Sequence, residues 1–558
     1  MRFGALLLWL LLLGPLAPFS FGQLSQPQTY TVRGTVVNSV TGVPIRGALV
    51  QIYSGRPRSR LTGPQGEFVF EGVPPGTFGA RIQKPGFFSP QELPVPGARQ
   101  VMITAGPDQP PVVLKLIPEG VIFGHVAGGN GELIESLPVQ LLFERMDNGK
   151  KTRSFMHRVN TDEQGEFRVA ELQPGRYFVF LGPSSLPSSY PAAKVSQPGV
   201  RGYPAVFYPG VPDSASAAPI EITPGKHFEI NLTLSSQPFY RISGTVSGNL
   251  PDRGISLQIV DAAGQPISSG FQFDPSRGTF RTQWLPAGQC TLTAQMHDPA
   301  TQQSYFASQS VNLTSDLTGV HLVLLPNASI PVTFHMETTQ NASPSEQTVL
   351  FTSGSDRSRR EQARIPANLV LTSQSQPLMR RQYYSELAPG DESSFVVRNI
   401  PPGVYFVEVQ HHGPYYAQSV RSGTLNLLEQ PLTVAPGAAL QPIEVVLRDD
   451  FATLEGNVFF EGDDIPAQLI AIPEDAPQQV RPFNLGQLVP TPGQARPSTR
   501  FEMPQLRPGN YKLLAVDDPS FEYADPEVLQ KYVSKAQEAF LAPGQRTKVS
   551  LDLVHIGD

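Results

Sequence analysis

An eleven-residue motif that begins with phenylalanine occurs five times in this chain of 558 residues. The copies read FVFEGVPPGTF, FRVAELQPGRY, FRTQWLPAGQC, FVVRNIPPGVY and FEMPQLRPGNY. Their first residues are 99, 113, 115 and 106 positions apart, and in every copy a glycine lies eight residues after the phenylalanine. A repeat of this kind predicts a series of similar structural units rather than one continuous core.

The motif has the spacing of a β-hairpin. Alternation after the phenylalanine predicts a strand, Pro-Gly or a variant of it predicts a turn, and the last residue of the motif begins the next strand. The glycine supplies a backbone φ that other residues resist, and the apolar residues face a core. We assign the following residues to this fold signature: Phe68, Gly76, Phe78, Phe167, Gly175, Tyr177, Phe280, Gly288, Phe395, Gly403, Tyr405, Phe501, Gly509 and Tyr511.

Further short strands are predicted on both sides of each hairpin. Four units have an upstream strand with a glycine, at Gly34, Gly124, Gly244 and Gly456, whereas the fourth unit has PVTFHME. Every unit ends in an alternating strand such as VVLKL or VSLDL. This pattern predicts an all-β protein, a tandem array of about five Ig-like or transthyretin-like Greek-key β-sandwiches that stack as a semi-rigid rod.

The repeats also predict the domain boundaries. The predicted divisions are a signal peptide at 1–22 and β-sandwiches at 29–118, 119–237, 238–326, 327–450 and 451–558. The second sandwich carries an aromatic loop insert and the last a short helical insert. Asp525 and Pro526 are typical of the N-cap and the first residue of that helix.

The first 22 residues are typical of a secretory signal. Arg2 precedes the apolar run Ala5–Leu13, and small residues at Ser20 and Gly22 predict cleavage before Gln23. The run is shorter than the roughly 20 residues of a membrane-spanning helix, although a short uncleaved anchor is an alternative. We therefore expect an exported protein in the periplasm, at the cell surface or secreted, with no transmembrane segment in the mature chain.

Charge and cysteine content narrow the classes of partner. The net charge is −6 and only 16% of the residues are charged, so no basic face is available for nucleic acid. The single cysteine, Cys290, excludes an intrachain disulfide, which in an exported protein favours a bacterial source. Cys290 occupies the last position of the third motif copy, which predicts a buried, unreactive thiol.

Catalytic and metal-binding patterns are weak in this sequence. No nucleophile elbow, HExxH pair or phosphate-binding loop is present, which predicts a protein that is not an enzyme and has no cofactor. His411 and His412 are adjacent on a predicted strand and would face opposite sides of it, so a shared metal ion is not expected. The Asp449–Asp450 and Asp463–Asp464 pairs offer too few oxygens for calcium.

The aromatic insert of the second unit is the candidate ligand site. Tyr190, Tyr203, Phe207 and Tyr208 lie in a Pro-, Ser- and Gly-rich stretch at 181–219. Exposed rings on loops of a rigid β-scaffold can bind sugars or partner proteins, which predicts a ligand-binding role for these four residues. The alternative is that the stretch folds back and covers the sandwich as a structural flap.

The first unit resembles the carboxypeptidase regulatory-like domain. The resemblance is carried by GTVVNSVTGVPIRGALVQI and TGPQGEFVFEGVPPGTFGARIQKPGF, and TDEQGEFRVAELQPGRYFVF repeats it in the second unit, with looser matches afterwards. The insert and the C-terminal stretch are similar to multi-domain exported bacterial proteins such as those of acidobacteria. The resemblance implies a transthyretin-like sandwich of the carbohydrate-binding-like fold, which is widely used as an appendage without a common active site.

A related family of pilin domains locks a similar sandwich with a Lys–Asn isopeptide bond. Such a bond needs a lysine in the first strand, where this chain has Arg33, Phe123, Ser243 and Glu455. We therefore do not expect the bond here.

These observations lead to one functional hypothesis and two alternatives. The hypothesis is a non-catalytic binding or structural module at the cell envelope or outside the cell, whose partner is an envelope or extracellular protein or a glycan. The alternatives are a carbohydrate-binding protein that uses its aromatic loops and an enzyme with an unrecognised site.

Overall fold

The structure is a computed structural model. It describes residues 28–93, 101–182, 200–248, 255–261, 266–268, 270–337, 367–374, 381–388, 391–411, 415–462, 465–477, 479–490 and 496–557. The chain divides into two compact units, with the division between Pro118 and Glu119. For description we call the predicted sandwiches segments 1 to 5 (29–118, 119–237, 238–326, 327–450 and 451–558); this five-part division remains a prediction.

Segment 1, the first compact unit, consists of β-strands in its described part. Its strands are β1 (Tyr30–Asn38), β2 (Leu49–Ser54), β3 (Arg56–Leu61), β4 (Glu67–Val73), β5 (Gly76–Gln83), β6 (Phe87–Phe88), β7 (Met102–Ala105) and β8 (Val112–Pro118), with a 3₁₀ helix at Pro90–Glu92. They form two four-stranded sheets in the orders β4-β1-β8-β6 and β3-β2-β5-β7.

Segments 2 and 3 belong to the second unit. Segment 2 contains β9 (Gly120–Gly128), β10 (Pro138–Asp147), β11 (Lys150–Asn160), β12 (Glu166–Leu172), β13 (Gly175–Leu181), β14 (Arg201–Gly202), β15 (Val206–Phe207), β16 (Ile220–Ile222) and β17 (His227–Leu234). Next come β18 (Gln237–Tyr240), β19 (Ile242–Ser247), β20 (Ser256–Asp261), β21 (Pro266–Ser268), β22 (Phe271–Asp274), β23 (Thr279–Thr282), β24 (Leu285–Pro286), β25 (Gly288–Asp298), β26 (Gln303–Leu313), β27 (Leu317–Val323) and β28 (Leu325–Pro326).

Segments 4 and 5 complete the second unit. Segment 4 contains β29 (Ala328–Glu337), β30 (Ala367–Ser373), β31 (Gln382–Ala388), β32 (Asp391–Ile400), β33 (Gly403–His411), β34 (Tyr416–Ser422), β35 (Leu425–Asn426), β36 (Leu432–Val434) and β37 (Ile443–Arg448). Segment 5 contains β38 (Ala452–Phe459), β39 (Ile465–Pro473), β40 (Arg481–Leu488), β41 (Ser498–Leu506), β42 (Gly509–Val516), α1 (Pro526–Tyr532), a 3₁₀ helix at Val533–Lys535, β43 (Gln537–Leu541) and β44 (Arg546–Val554).

The fold class is therefore as predicted, an all-β array whose described residues include one short α-helix. Asp525 caps that helix by accepting hydrogen bonds from the backbone N–H groups of Glu527 and Val528. Within the described residues, each segment contains its own large cluster of buried apolar side chains.

The motif phenylalanine is buried in all five copies, with an exposed fraction of at most 8%. It lies on β4, β12, β23, β32 or β41. Each of these strands pairs antiparallel with a strand near the start of its segment, which we call the first strand (β1, β9, β19, β29 or β38). The first strand pairs on its other side with a strand near the end of the segment, which we call the last strand (β8, β17, β27, β37 or β44), and this second pairing is parallel in every segment. The first strand therefore lies inside its sheet, with long-range pairing on both edges.

A tyrosine closes the hairpin in three of the five copies. The hydroxyl of Tyr177 donates a hydrogen bond to the carbonyl oxygen of Gln173 at 2.8 Å. Tyr405 and Tyr511 make the same bond to the residue four positions earlier, at 2.7 and 2.8 Å. The ring is buried against the core while its polar end satisfies a carbonyl of the turn, which explains why tyrosine recurs at this position.

The glycine of the first strand lies opposite the motif phenylalanine in four segments, at Gly34, Gly124, Gly244 and Gly456. A Cβ atom at any of these positions would collide with a backbone carbonyl oxygen of the parallel last strand. In segment 4 the equivalent position, opposite Phe395, is Val332. The four glycines therefore permit a close approach of two strands that a side chain would prevent.

Replacement of Gly124 by alanine tests this constraint. The new methyl group would meet the carbonyl of Ile230, so we expect β9 and β17 to separate and the fold to lose about 1–3 kcal/mol, the usual cost of overpacking. Amide hydrogen exchange of β9 and β17, followed by mass spectrometry, measures the effect. The control is Gly129→Ala, where the added Cβ would lie 3.8 Å from its nearest neighbour. Equal protection in the two variants would contradict the interpretation.

Segments 2 and 5 contact each other within the second unit. The backbone N–H of Ala524 donates to the carbonyl oxygen of Gly149, at the tip of the β10–β11 hairpin, at 2.9 Å. Lys151 forms an ion pair with Glu522, and burial raises the pKa of Tyr523, whose ring lies against Gly149. In a rod, only consecutive segments would touch, so the expectation of a rod is wrong for this unit.

The substitution Gly149→Val tests this contact, because the valine side chain would occupy the space of the Tyr523 ring. We expect the radius of gyration of the full chain, measured by small-angle X-ray scattering, to increase as the two segments separate. Gly131→Val is the matched control, since both glycines have a left-handed φ (+75° and +81°) but a Cβ at Gly131 meets no atom within 4 Å. An unchanged radius in Gly149→Val would show that other contacts hold the segments together.

Candidate functional site

The described part of the aromatic insert begins at Val200, so Tyr190 lies outside the described residues. Two short strands, β14 and β15, give the insert regular structure. β15 pairs antiparallel with β13 and thereby extends a sheet of segment 2. Val206 and Phe207 are therefore part of this sheet rather than of a free loop.

Phe207 is a core residue. It is 1% exposed, pairs with Phe180 across β13 and β15, and its ring centroid lies 4.8 Å from that of Phe180. Leu142, Phe178 and Ala217 complete this buried cluster. A ring at this depth offers no face to a sugar or a partner, so for Phe207 the geometry supports the structural flap over the ligand-binding role.

Tyr208 is half-buried and packs on the second core cluster. Its ring meets that of Phe228 edge to face, with 6.3 Å between the centroids. Its backbone is bonded on both sides, donating to the carbonyl of Val179 and accepting from the N–H of Ala218, each at 2.9 Å. Tyr208 therefore has a packing role, and its predicted role in ligand binding stays a prediction.

Tyr203 is held by an acidic residue of segment 2. Its hydroxyl donates a hydrogen bond to Glu132 in the loop after β9. Burial and this bond raise the pKa of Tyr203 to about 12, while the same bond lowers the pKa of Glu132. The pair joins this part of the insert to the loop after β9, and the ring of Tyr203 remains partly accessible.

The insert also joins segment 2 to segment 3. β14 pairs with β18, which in turn pairs with β24 of the third motif hairpin. The Arg201 guanidinium donates to the carbonyl oxygen of Ser236 at 2.6 Å. Beside this small sheet lies a cavity of about 130 Å³, lined among others by Pro204, Ala205 and Cys290. Burial raises the pKa of the Cys290 thiol to about 11, as expected for an unreactive thiol.

The histidine and aspartate candidates for metal binding are only partly among the described residues. Among the described residues, no three His, Cys, Asp or Glu side chains lie close enough together to hold a metal ion. His411 packs near Phe451, with 6.4 Å between the ring centroids, while His412 and the Asp463–Asp464 pair lie outside the described residues. Asp450 accepts hydrogen bonds from Arg448 and Tyr416, and the bond from Arg448 lowers the pKa of its carboxyl group.

The structural role of the insert predicts the effect of Phe207→Ala. Removal of this buried ring should destabilise segment 2 by about 3–5 kcal/mol, because it leaves a cavity in the buried cluster around Phe207. The midpoint of thermal unfolding measures the loss. Phe155→Ala, on β11 of the same segment, is the control, because Phe155 is 47% exposed. If both variants unfold at the same temperature, the insert does not depend on Phe207.

Comparison with known proteins supports the relationship proposed for the first unit. Residues 31–109 match the family model of the carboxypeptidase regulatory-like domain. The resemblance inferred from the sequence is thus confirmed for this stretch. No curated protein matches the chain.

Solved structures give low similarities. A streptococcal ancillary pilin is 12% identical with a TM-score of 0.19, covering 53% of this chain and 99% of its own. The Bacillus anthracis TIE protein is 9% identical with a TM-score of 0.15, covering 94% of this chain and 68% of its own. The minor pilin GBS52 of Streptococcus agalactiae is 13% identical with a TM-score of 0.21, covering 40% of this chain and all of its own. Values this low carry no conclusion about arrangement or function.

Proposed function

We propose that this protein is an exported, non-catalytic β-sandwich repeat protein that acts as a binding or structural module at the cell envelope or outside the cell. The observation that carries the proposal is the use of the recurring motif. Its phenylalanine is buried in every copy, and its tyrosine closes the hairpin in three. The repeated residues thus form the scaffold. In this proposal the binding residues lie in the parts of the chain that differ between segments.

The organisation into five sandwiches is part of this proposal. The five large core clusters follow the five segments, except that Ala476 of segment 5 belongs to the cluster of segment 4. The division between the compact units falls at the end of segment 1. Side chains also bond across a junction of the second unit, as where the amide nitrogen of Asn399 in segment 4 donates to the carbonyl oxygen of Gln302 in segment 3 at 2.9 Å. A series of sandwiches joined in this way presents its variable loops in defined positions.

Export is supported by the N-terminal sequence. Residues 1–22 lie outside the described residues, so the argument rests on Arg2, the apolar run and the small residues before Gln23. Among the described residues, no helix has the length and apolar character needed to span a membrane.

Cleavage of the N-terminal segment tests the proposed export. When the full chain is expressed in a bacterial host, we expect a mature protein that begins at Gln23, outside the cytoplasmic fraction, because the segment has the three parts that signal peptidase recognises. Mass spectrometry of the N-terminal peptide measures the cleavage site. The variant Leu8→Arg, which interrupts the apolar run, should accumulate as an uncleaved precursor. Wild-type protein found intact in the cytoplasm would disprove export.

The partner class is tested with the mature chain immobilised on a support. Envelope extract and a glycan array, probed in parallel, separate a protein partner from a sugar. The proposed role is binding or structural and not catalytic. A catalytic activity that depends on one of the segments would therefore contradict it.

A further inference from the structure

An open groove lies where segments 3 and 4 meet in the second unit. Its volume is about 560 Å³. One wall is β31 with the end of β32, and the other is the turn between β25 and β26, which contributes Gln302. The side chains that matter here are those of Gln302, Gln382, Tyr384, Glu386, Arg398 and Asn399.

The frame of the groove is held across the junction. The carboxamide oxygen of Asn399 accepts from the backbone N–H of Ser304 at 2.7 Å, and its nitrogen donates to the carbonyl of Gln302 at 2.9 Å. Behind β31, Tyr383 packs edge to face on the motif residue Tyr405, with 5.8 Å between the centroids. Both walls are therefore fixed before a ligand arrives, which lowers the entropic cost of binding.

Tyr384 gives the groove an aromatic surface. Its side chain is 50% exposed, unlike that of the neighbouring Tyr383, because adjacent residues of a strand face opposite sides. The hydroxyl of Tyr384 donates to the side-chain oxygen of Gln382 at 2.6 Å. This bond orients the ring and uses the amide oxygen of Gln382, whose amide nitrogen can donate to a ligand.

A charged pair lies beside the aromatic ring. The Nε atom of Arg398 is 2.7 Å from Oε1 of Glu386. The Arg398 side chain is 30% exposed and that of Glu386 is 59% exposed, so both charged groups are accessible to a ligand in the groove. Because its two charges balance, this pair by itself favours neither an anion nor a cation.

Three other ligand classes fit this chemistry less well. A peptide that binds by strand addition needs an open sheet edge, but β31 is paired with β30 on one side and β32 on the other. Nucleic acid needs several free cations, and Arg398 is already paired. A purely apolar ligand would leave the charged pair and the amides without partners on burial. A ring with one apolar face and a rim of hydroxyl groups satisfies both the tyrosine and the polar groups.

We propose that this groove binds a neutral oligosaccharide, with one sugar ring stacked on Tyr384 and its hydroxyl groups bonded to Gln382, Glu386 and Arg398. The proposal rests on the binding role proposed above and names its ligand class. It places sugar recognition at the junction of segments 3 and 4, apart from the aromatic insert.

Titration of the mature full chain with cellohexaose, xylohexaose, maltohexaose and chitohexaose tests the proposal. Isothermal calorimetry and saturation-transfer NMR measure binding. We expect at least one of these neutral sugars to bind, and Tyr384→Ala to weaken that binding 10-fold or more. Tyr384→Phe should stay within about threefold of wild type, because it keeps the stacking face. Tyr53→Ala is the control, since Tyr53 is 53% exposed and belongs to the first unit.

Two results would overturn the proposal. One is the absence of binding to all four sugars at millimolar concentration. The other is binding that survives Tyr384→Ala but is lost in Tyr203→Ala, which would place the site in the aromatic insert. Neither result bears on the proposed export, which is tested by cleavage before Gln23. Conversely, a chain that is not exported would still be tested for sugar binding by the same titration.

Discussion

The close approach of two strands at one glycine is the constraint on which each sandwich with that glycine depends. The first strand pairs with the motif strand on one side and with the parallel last strand on the other, and at Gly124 the last strand leaves no room for a Cβ atom. The motif phenylalanine directly opposite is buried, and at Gly34 the ring of Phe68 also occupies the space that a Cβ atom would need. Segment 4 has the same two pairings with Val332 at this position, so its strands leave room there for a side chain.

The local part of this arrangement was predictable. Gly76 has the positive φ (+141°) that its place in a Pro-Gly turn requires, because turn chemistry is a short-range property of the chain. The bond from Tyr177 to Gln173 and the parallel pairing of first and last strands were not predicted. A period-two pattern shows that one face of a strand is buried. It does not show which distant strand pairs with it along its edge.

The candidate site illustrates the same limit. Phe207 and Tyr203 share a Pro- and Gly-rich stretch, yet the first enters the core and the second bonds to a glutamate of another loop. A composition typical of loops does not show that a stretch adds strands to an existing sheet. Tyr384 gave no sequence signal because it lies in an ordinary alternating strand, and its groove exists only once the turn at Gln302 is placed beside it.

In the proposed function, contacts between segments therefore matter more than the sandwiches taken singly. The Gly149–Ala524 bond joins segments 2 and 5, and Asn399 joins segments 3 and 4. Each such contact restricts the hinge motion that short linkers would otherwise allow. A binding surface assembled from two segments keeps its shape only if those segments stay in register. The bonds of Asn399 thus have a role that no single sandwich could fulfil, because they hold Gln302 and Tyr384 on opposite walls of one groove.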